Sequence, residues 1–296
     1  MPVTPARPAP APIDVALVTY AAQPAITDDD ALLAGALAAR GLRVAALPWD
    51  DPAAPWGDVR LAIVRSTWNY HHRRPAFVAW AERAAGLTRL WNPAQAIRWN
   101  THKAYLRDLA ARGIAVVPTR WLPAGSSVDL GALLAAEGWD RAVLKPAVSA
   151  SAYETALVAR GDLAAGQARL DRLLAGHDVM AQPFLPAVET IGERSLLFAG
   201  GDFTHAVRRP PALGQTHDPD ALATPLDPGP DEVAFARAAL DAAGFPTLYA
   251  RVDLIHDAAG ALRLMELELV EPSLFLAFSP AAAARLADAV LARLAE

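Results

Sequence analysis

The chain has 296 residues, which is enough for two or three compact units with a sizeable buried core. Its formal net charge of -5 argues against the basic surface of a nucleic-acid-binding protein. It has no cysteine, which excludes disulfides and thiolate metal sites, and no apolar run of the roughly 20 residues that span a membrane. We therefore expect a cytoplasmic protein without nucleic-acid or membrane partners.

The chain divides into four stretches by composition and predicted elements. Residues 1–12 are rich in Pro and Ala, lack the apolar middle of a signal peptide and are expected to be disordered. Residues 13–99 are expected to form an N-terminal domain, residues 100–178 a small α+β lid, and residues 179–296 a C-terminal α+β unit. The predicted fold class is therefore α/β and α+β, with a parallel-sheet domain followed by two α+β subdomains.

The N-terminal domain begins with a predicted βαβ unit. Thr27 is a good N-cap for its helix, and Gly41 is a good stop. The apolar runs typical of its buried strands are residues 13–19, 42–47 and 61–65. Such units bind ligands at the carboxyl ends of their strands.

A mixed polar and aromatic stretch leaves the third of these strands. A cation, a hydroxyl, an indole and an amide at that sheet edge could form a substrate pocket, although an ordinary polar loop explains them equally well. The candidate substrate-binding residues are Arg65, Ser66, Trp68 and Asn69.

The lid is predicted to begin with a helix capped by Asn100 and stopped at Gly113. Lys103 lies one turn into that helix, and Lys145 ends the strand before Pro146. Each lysine alone would be read as a surface residue, but the two together could bind phosphate oxygens as point charges. The loop after Lys145 is built from small residues, and Ser149 and Ser151 could add hydroxyl donors. It has no glycine, so a plain connection is nearly as good a reading.

The C-terminal unit is expected to open with a strand at Val179 and to carry a hairpin with three acids on one face. Side chains alternate along a strand, so Glu266 and Glu268 point the same way. If Asp257 pairs with Leu262, Asp253 lies opposite Glu266. Clustered carboxylates without cysteine or paired histidines suit a hard ion such as Mg²⁺, usually together with a nucleoside triphosphate. A solvated sheet face is the alternative.

Three arginines are further candidates for chemistry. Arg209 ends a predicted strand, Arg251 shares a strand face with Asp253, and Arg194 follows Gly192 and Glu193. An arginine aimed at developing negative charge stabilises phosphoryl and acyl transfer, whereas a surface ion pair is the alternative. The sequence lacks the P-loop, the dinucleotide fingerprint and the nucleophile elbow, which disfavours those enzyme classes.

The order of these blocks resembles the ATP-grasp superfamily, in its glutathione-synthetase-like branch. The likeness spans almost the whole chain. Within that branch the chain resembles the cyclo-ligases of cycloserine biosynthesis, which close O-ureido-serine. The stretches that carry the resemblance are residues 68–70, 98–103, 143–146, 182–185, 192–195, 251–253 and 265–272.

The resemblance implies an ATP-grasp fold whose two subdomains clamp ATP, and it implies roles for the residues above. Asp253, Glu266 and Glu268 would hold two Mg²⁺ ions, and Arg209 and Arg251 would be catalytic, with Arg194 near the substrate. The implied ATP-binding residues are Lys103, Lys145, Ser149, Ser151, Gln182, Pro183, Phe184, Leu185 and Glu189. Two departures stand out, because many relatives have glycines in the loop after Lys145 and asparagine at position 268.

The predicted activity is that of an ADP-forming, carbon–nitrogen bond-forming ligase acting through an acyl phosphate on a small amino acid, possible ring closure of O-ureido-serine included. The cofactors implied are ATP and Mg²⁺, and the partner is an amino-acid-like small molecule. A homodimer is compatible with the sequence. The alternatives are an ATP-grasp ligase of a peptide or protein terminus, an ATP-grasp phosphotransferase and a non-catalytic nucleotide-binding module.

Overall fold

The computed structural model describes residues 13–210 and 220–296. The predicted disorder of residues 1–12 lies outside that part of the chain. The described strands form three sheets, one parallel and two antiparallel. No helix in the described ranges is long and apolar enough to cross a membrane.

The N-terminal sheet is parallel, as the βαβ pattern predicts. Its strands are β1 (Ile13–Thr19), β2 (Val44–Pro48), β3 (Val59–Val64) and β4 (Arg89–Trp91), and its helices are α1 (Asp28–Ala38), α2 (Arg74–Ala85) and α3 (Ala94–Asn100). The strand order is β2-β1-β3-β4. The Thr27 hydroxyl accepts the Asp30 N–H at 3.0 Å, which confirms the predicted cap of α1.

The middle sheet is antiparallel. Its strands are β5 (Arg120–Leu122), β6 (Arg141–Pro146), β7 (Ala156–Ala159) and β8 (Val179–Pro183), and the helices of this region are α4 (Tyr105–Ala111), α5 (Leu130–Glu137) and α6 (Leu163–Leu174). The order is β5-β8-β6-β7, so β8 pairs inside this sheet and does not open the C-terminal one as expected. The domain limits at residues 99 and 178 stay predictions, but the sheet extends past the second of them.

Asn100 does not cap the helix that follows it. It is the last residue of α3, and its buried amide pairs with the backbone of the carboxylate hairpin. The Asn100 Nδ2 donates to the Leu267 carbonyl at 2.7 Å, and its Oδ1 accepts the Leu269 N–H at 2.8 Å. A polar residue before a helix is a cap in most sequences, but here a tertiary partner uses both of its amide atoms.

The C-terminal sheet is antiparallel, with the order β11-β10-β9-β12-β13. Its strands are β9 (Glu193–Ala199), β10 (Asp202–Arg209), β11 (Thr224–Leu226), β12 (Tyr249–His256) and β13 (Leu262–Glu268), and its helices are α7 (Ala187–Thr190), α8 (Pro230–Ala243) and α9 (Pro280–Ala295). Helix α9 buries Leu286, Val290 and Leu294 on one face, as predicted, and packs beside α1.

The hairpin of β12 and β13 reaches the predicted register by a different route. Asp253 pairs with Glu266 and Arg251 with Glu268, as expected. However, the turn is closed one residue earlier than assumed, because the Asp257 N–H bonds to the Ala261 carbonyl at 2.9 Å. A bulge at Met265 then inserts one residue into β13 and restores the register at the acids.

Candidate active site

A cavity of about 800 Å³ is lined by most of the predicted site residues. The size is within the range of small-molecule and cofactor sites. The predicted residues that line it are Trp68, Lys103, Lys145, Ser149, Ser151, Gln182, Pro183, Phe184, Leu185, Arg209, Arg251, Asp253, Glu266 and Glu268. Residues from all three regions of the chain therefore face one space.

Asp253 is the most tightly held carboxylate of the cavity. It accepts hydrogen bonds from Ser195 Oγ at 2.7 Å, Arg209 Nη2 at 2.9 Å and Arg251 Nε at 3.0 Å. Burial opposes its ionisation, but the guanidinium groups of Arg209 and Arg251 outweigh burial and keep the pKa of Asp253 below its ordinary value. Arg251 also forms an ion pair with Glu268 and thereby joins the two strands of the hairpin.

Glu266 is paired with Lys103, the residue with which the resemblance implies phosphate binding. The ammonium also donates to the Ser149 carbonyl at 3.3 Å. Burial again opposes ionisation, and the charges of Lys103 and Lys145 outweigh it, so the pKa of Glu266 is lowered. Lys145 is shifted the other way, because burial of its ammonium lowers its pKa. Both lysines therefore lie within electrostatic reach of the hairpin acids.

The cavity holds more carboxylates than cations. Burial, reinforced by neighbouring carboxylates, raises the pKa of Glu268 to about 8 despite Arg251. Burial also raises the pKa of Glu271 to about 7. The cationic lining residues are Lys103, Lys145, Arg209 and Arg251, and the acidic ones are Glu193, Asp220, Asp253, Glu266, Glu268 and Glu271. With every group ionised, six acids against four cations would leave an excess of two negative charges, and burial together with that excess raises the pKa of Glu268 and of Glu271.

This donor set fits a divalent cation in its chemistry. The carboxylate oxygens lie on one face of the two-stranded hairpin, and a surplus of negative charge is the kind that a hard ion relieves. Within the described ranges, however, no three His, Asp or Glu side chains converge on one point as a ready-made metal site. The reason is visible at two of the three acids, because Lys103 holds Glu266 and Arg251 holds Glu268.

One end of the cavity is apolar and lies against β6 and β8. Val117, Val143, Ile255 and Met265 line it together with the stretch 182–185. The Phe184 ring is covered on one side by the Arg141 guanidinium, at 3.8 Å from the ring centroid. Such an apolar slot suits a flat heterocycle.

The loop of small residues after Lys145 has an unusual backbone. Ser151, Ala152 and Glu154 all have positive φ, of 49°, 55° and 55°. Non-glycine residues seldom adopt this region, and it turns successive N–H groups to a common side in known anion-binding loops. The Ser149 hydroxyl donates to the Pro146 carbonyl at 3.2 Å, so its predicted role as a free donor into the cavity is not the one it has here.

Arg65 and Ser66 do not line the cavity. Both are buried, and the Arg65 Nε donates to Asp30 of α1 at 2.6 Å. Its Nη2 donates to the Pro272 carbonyl at 2.8 Å, so Arg65 supports the segment after β13 from behind. The two residues that were predicted to bind substrate at this point therefore lie outside the cavity lining.

Three further predicted residues also point elsewhere. Asn69 accepts from Trp49 Nε1 at 2.8 Å and donates to Asp50 at 3.1 Å, which ties two loops of the N-terminal region together. Arg194 is paired with Glu232 at the start of α8. Glu189 lies 3.6 Å from Arg141 outside the cavity lining.

The sequence analysis missed other lining residues. They are Tyr70, Glu193, Asp220, Glu271 and Ser273, among others. Arg209 donates to Glu193 at 2.8 Å and to Asp220 at 3.1 Å, so the two acids frame one predicted arginine. A weak signal existed for Tyr70, Glu193 and Glu271, since all three stand in blocks that carry the family resemblance. The blocks of Tyr70 and Glu271 have no strand period that tells where a side chain points.

Comparison with known proteins identifies the family. The family described as D-cycloserine synthetase DcsG, N-terminal domain, matches residues 15–92. The cycloserine biosynthesis protein DcsG of Streptomyces lavendulae is 34% identical over 295 residues, which cover 95% of this chain and 98% of that protein. The crystal structure of D-cycloserine synthetase DcsG is 33% identical, with a TM-score of 0.87 over 95% of this chain and 99% of that one.

A more distant structure shows the same fold. The ATP-grasp ligase PsnB, complexed with its minimal precursor, Mg and ADP, has a TM-score of 0.62 at 16% identity, over 96% of this chain and 100% of that one. The predicted ATP-grasp fold, with one parallel and two antiparallel sheets, is thus confirmed. Given the identity and nearly complete coverage, this chain belongs to the DcsG family of ATP-grasp ligases, the enzymes that the order of its sequence blocks resembles.

Proposed function

We propose that the protein closes a ring in a small amino acid at the expense of ATP, with O-ureido-serine as the substrate. The observation that carries this proposal is the meeting, in one cavity, of three hairpin acids with two lysines and two arginines. The family membership supports the ATP-dependent ligase activity, and the name of the Streptomyces relative supports a substrate from cycloserine biosynthesis.

ATP would lie along the middle sheet. Its adenine would enter the apolar slot beside residues 182–185, where β8 ends. Lys103 and Lys145 would bind the phosphates, and the positive-φ loop after Lys145 would cover them with N–H groups. Glu189 is paired away from the cavity with Arg141, so we assign it no contact with the ribose.

Asp253, Glu266 and Glu268 would hold magnesium. A bound Mg²⁺ supplies neutralisation of the phosphate oxygens during transfer. Triphosphate would compete with Glu266 for the Lys103 ammonium, which frees that carboxylate for the metal. Arg251, which spans Asp253 and Glu268, would then turn one donor toward the reacting groups.

The reaction would have two steps. An oxygen of the substrate carboxylate attacks the γ-phosphorus and ADP leaves, which yields an acyl phosphate. A nitrogen of the same molecule then attacks the acyl carbon, phosphate departs with the electron pair of the C–O bond, and the nitrogen loses a proton. Arg209 and Arg251 would stabilise the negative charge on the tetrahedral intermediate, and closure by the lid would exclude water.

The test is an ADP-release assay with Mg²⁺ over small amino acids that include both enantiomers of O-ureido-serine, each alone and with added amines. Release with O-ureido-serine alone, together with one phosphate and a cyclic product for each ADP, is the expected result. A requirement for a second amine would indicate intermolecular coupling, and a stable phosphorylated product would indicate a phosphotransferase. Either result would reject ring closure.

A further inference from the structure

One carboxylate of the cavity differs from all the others in its partners. Glu193, Asp220, Asp253, Glu266 and Glu268 are each in an ion pair with Arg209, Arg251 or Lys103. Glu271 forms no ion pair within residues 13–210 and 220–296, and its carboxylate accepts a hydrogen bond from the Tyr70 hydroxyl. Lys103 and Arg251 attract this half-buried carboxylate without forming an ion pair with it, so no cation in the described ranges is in contact with it.

The backbone around Glu271 is held in place at three successive carbonyls. The Val270 carbonyl accepts from Tyr249 Oη at 2.7 Å, and the Glu271 carbonyl accepts from Trp68 Nε1 at 3.2 Å. The Pro272 carbonyl accepts from Arg65 Nη2 at 2.8 Å. The carboxylate is thus presented to the cavity by a segment with little freedom to move, which is how preorganised binding groups are built.

The surroundings select for a compact organic cation. Trp68 and Tyr70 line the cavity beside Glu271, and aromatic rings next to a carboxylate are the usual partners of an ammonium group. Glu271 follows Glu268 by three residues along the same wall, so this position adjoins the hairpin acids. An α-amino acid carries its ammonium and its carboxylate on one carbon and therefore needs a cation site beside the site of carboxylate activation.

We propose that Glu271, flanked by Trp68 and Tyr70, binds the ammonium group of the amino-acid substrate. This subsite rests on the proposed function, because it assumes an amino acid whose carboxylate is activated at the hairpin. Arg65 would be a positioning residue of this subsite, because it holds the Pro272 carbonyl. Trp68 would contact the substrate, as was predicted from its place after the third strand.

The test compares two ligands on three proteins. The ligands are O-ureido-serine and its deamino analogue, in which hydrogen replaces the amino group, and the proteins are the wild type, Glu271→Gln and the matched control Glu193→Gln. Calorimetric titration in the presence of Mg²⁺ and ADP gives each dissociation constant. Glu193 lines the same cavity but is already paired with Arg209, so its loss should not change the preference for the amino compound.

In the wild type the amino compound should bind roughly 10-fold to 100-fold more tightly, as expected for a charged hydrogen bond in a buried site. Glu271→Gln should remove most of that preference and leave the deamino analogue and ADP binding unchanged. The Tyr70→Phe variant keeps the carboxylate and should lose less than Glu271→Gln does. A melting curve checks the fold of each variant.

The subsite would be overturned if Glu271→Gln and the wild type preferred the amino compound to the same degree. It would also be overturned if the wild type bound both ligands equally well or bound neither. A preference that depends on Glu271, without ADP release in the assay above, would reject the proposed ring closure and leave the subsite standing. If Glu271→Gln does not fold, Glu271→Asp replaces it in the titration. Its shorter side chain withdraws the carboxylate from the ammonium, so the preference for the amino compound should fall as well.

Discussion

Two buried arginines of this molecule have similar partners and different surroundings. Arg65 pairs with Asp30 in the N-terminal region, and Arg251 pairs with Asp253 in the hairpin. Arg65 and Arg251 are 2% and 4% exposed, so burial alone does not distinguish them. The first pair is enclosed between α1 and the loop after β3, whereas the second faces the cavity beside further acids.

The difference lies in the balance of charge. The charges of Asp30 and Arg65 neutralise each other. The Arg65 Nη2 donates to a neutral group, the Pro272 carbonyl. Around Arg251 the acids outnumber the cations, and the pKa of Glu268 is raised to about 8 by burial and its acidic neighbours. A buried ion pair whose charges cancel loses stability when one partner is removed. A buried cluster with more acids than cations can still attract a cationic ligand.

The largest expected effect is at the unbalanced end. Glu266→Gln should lower the rate of ADP formation by about 1000-fold or more, because it removes a proposed magnesium ligand and the partner of Lys103. Steady-state ADP release measures it, with melting temperature as the check on folding. The control is Glu82→Gln, which removes the same charge from the exposed surface of α2, where Glu82 pairs with Arg98 outside the cavity lining, and should leave the rate unchanged. Unchanged turnover in Glu266→Gln would contradict the metal assignment.

At the Arg65–Asp30 pair, a substitution should change the stability of the fold. Arg65→Met should lower the free energy of unfolding by about 3 kcal/mol, since it leaves Asp30 buried without its cation. Urea denaturation measures it. The double variant Arg65→Met, Asp30→Leu should recover part of the loss, because it removes both charges. A single variant as stable as the wild type would show that this pair does not hold the fold.

Arg251→Lys tests whether the fork of the guanidinium matters at the hairpin. Lysine keeps the charge but cannot span Asp253 and Glu268 in the same geometry, so kcat should fall by about 10-fold to 100-fold. The free energy of unfolding should change less than in Arg65→Met. The comparison of the two regions would fail if Arg251→Lys lost stability and kept its rate.

The smallest effect is expected at Arg194, which the sequence analysis placed at the substrate. Its side chain is paired with Glu232 of α8, and lysine keeps that charge. Arg194→Lys should change kcat/KM for the amino acid by less than about 2-fold, since no contact with the cavity is altered. A much larger fall in kcat/KM would restore the original assignment.

The parts of the site that lie on strands were predictable. Period-two alternation placed Asp253, Glu266 and Glu268 on one face and made Arg251 the neighbour of Asp253. The predicted register at the acids was right, although the assumed pairing of Asp257 with Leu262 was not. The turn closes one residue early, and the bulge at Met265 compensates for the shift. No sequence pattern indicated the turn hydrogen bond or the bulge, so the sequence favoured a regular hairpin without them.

The parts on irregular segments were not predictable. Arg65 has a partner 35 residues earlier in the chain, and no local pattern connects it with Asp30. Glu271 stood in a block that carried the family resemblance, but the absence of an ion pair to it, within the part of the chain that the structure describes, is a property of the folded cavity. Local patterns give the direction of a side chain only where the backbone repeats, and charge balance requires all of the neighbours.

The bulge at Met265 separates the tip of the hairpin from its acidic face. On the far side of the bulge, β13 is fixed by Asn100 and by the Tyr105 hydroxyl, which accepts the Leu267 N–H at 3.0 Å. The positions of Glu266 and Glu268 are therefore set by these anchors and not by the length of the turn. Residues 258–260 are exposed, so an epitope or a fluorescent label inserted there would report on the enzyme without moving its acids.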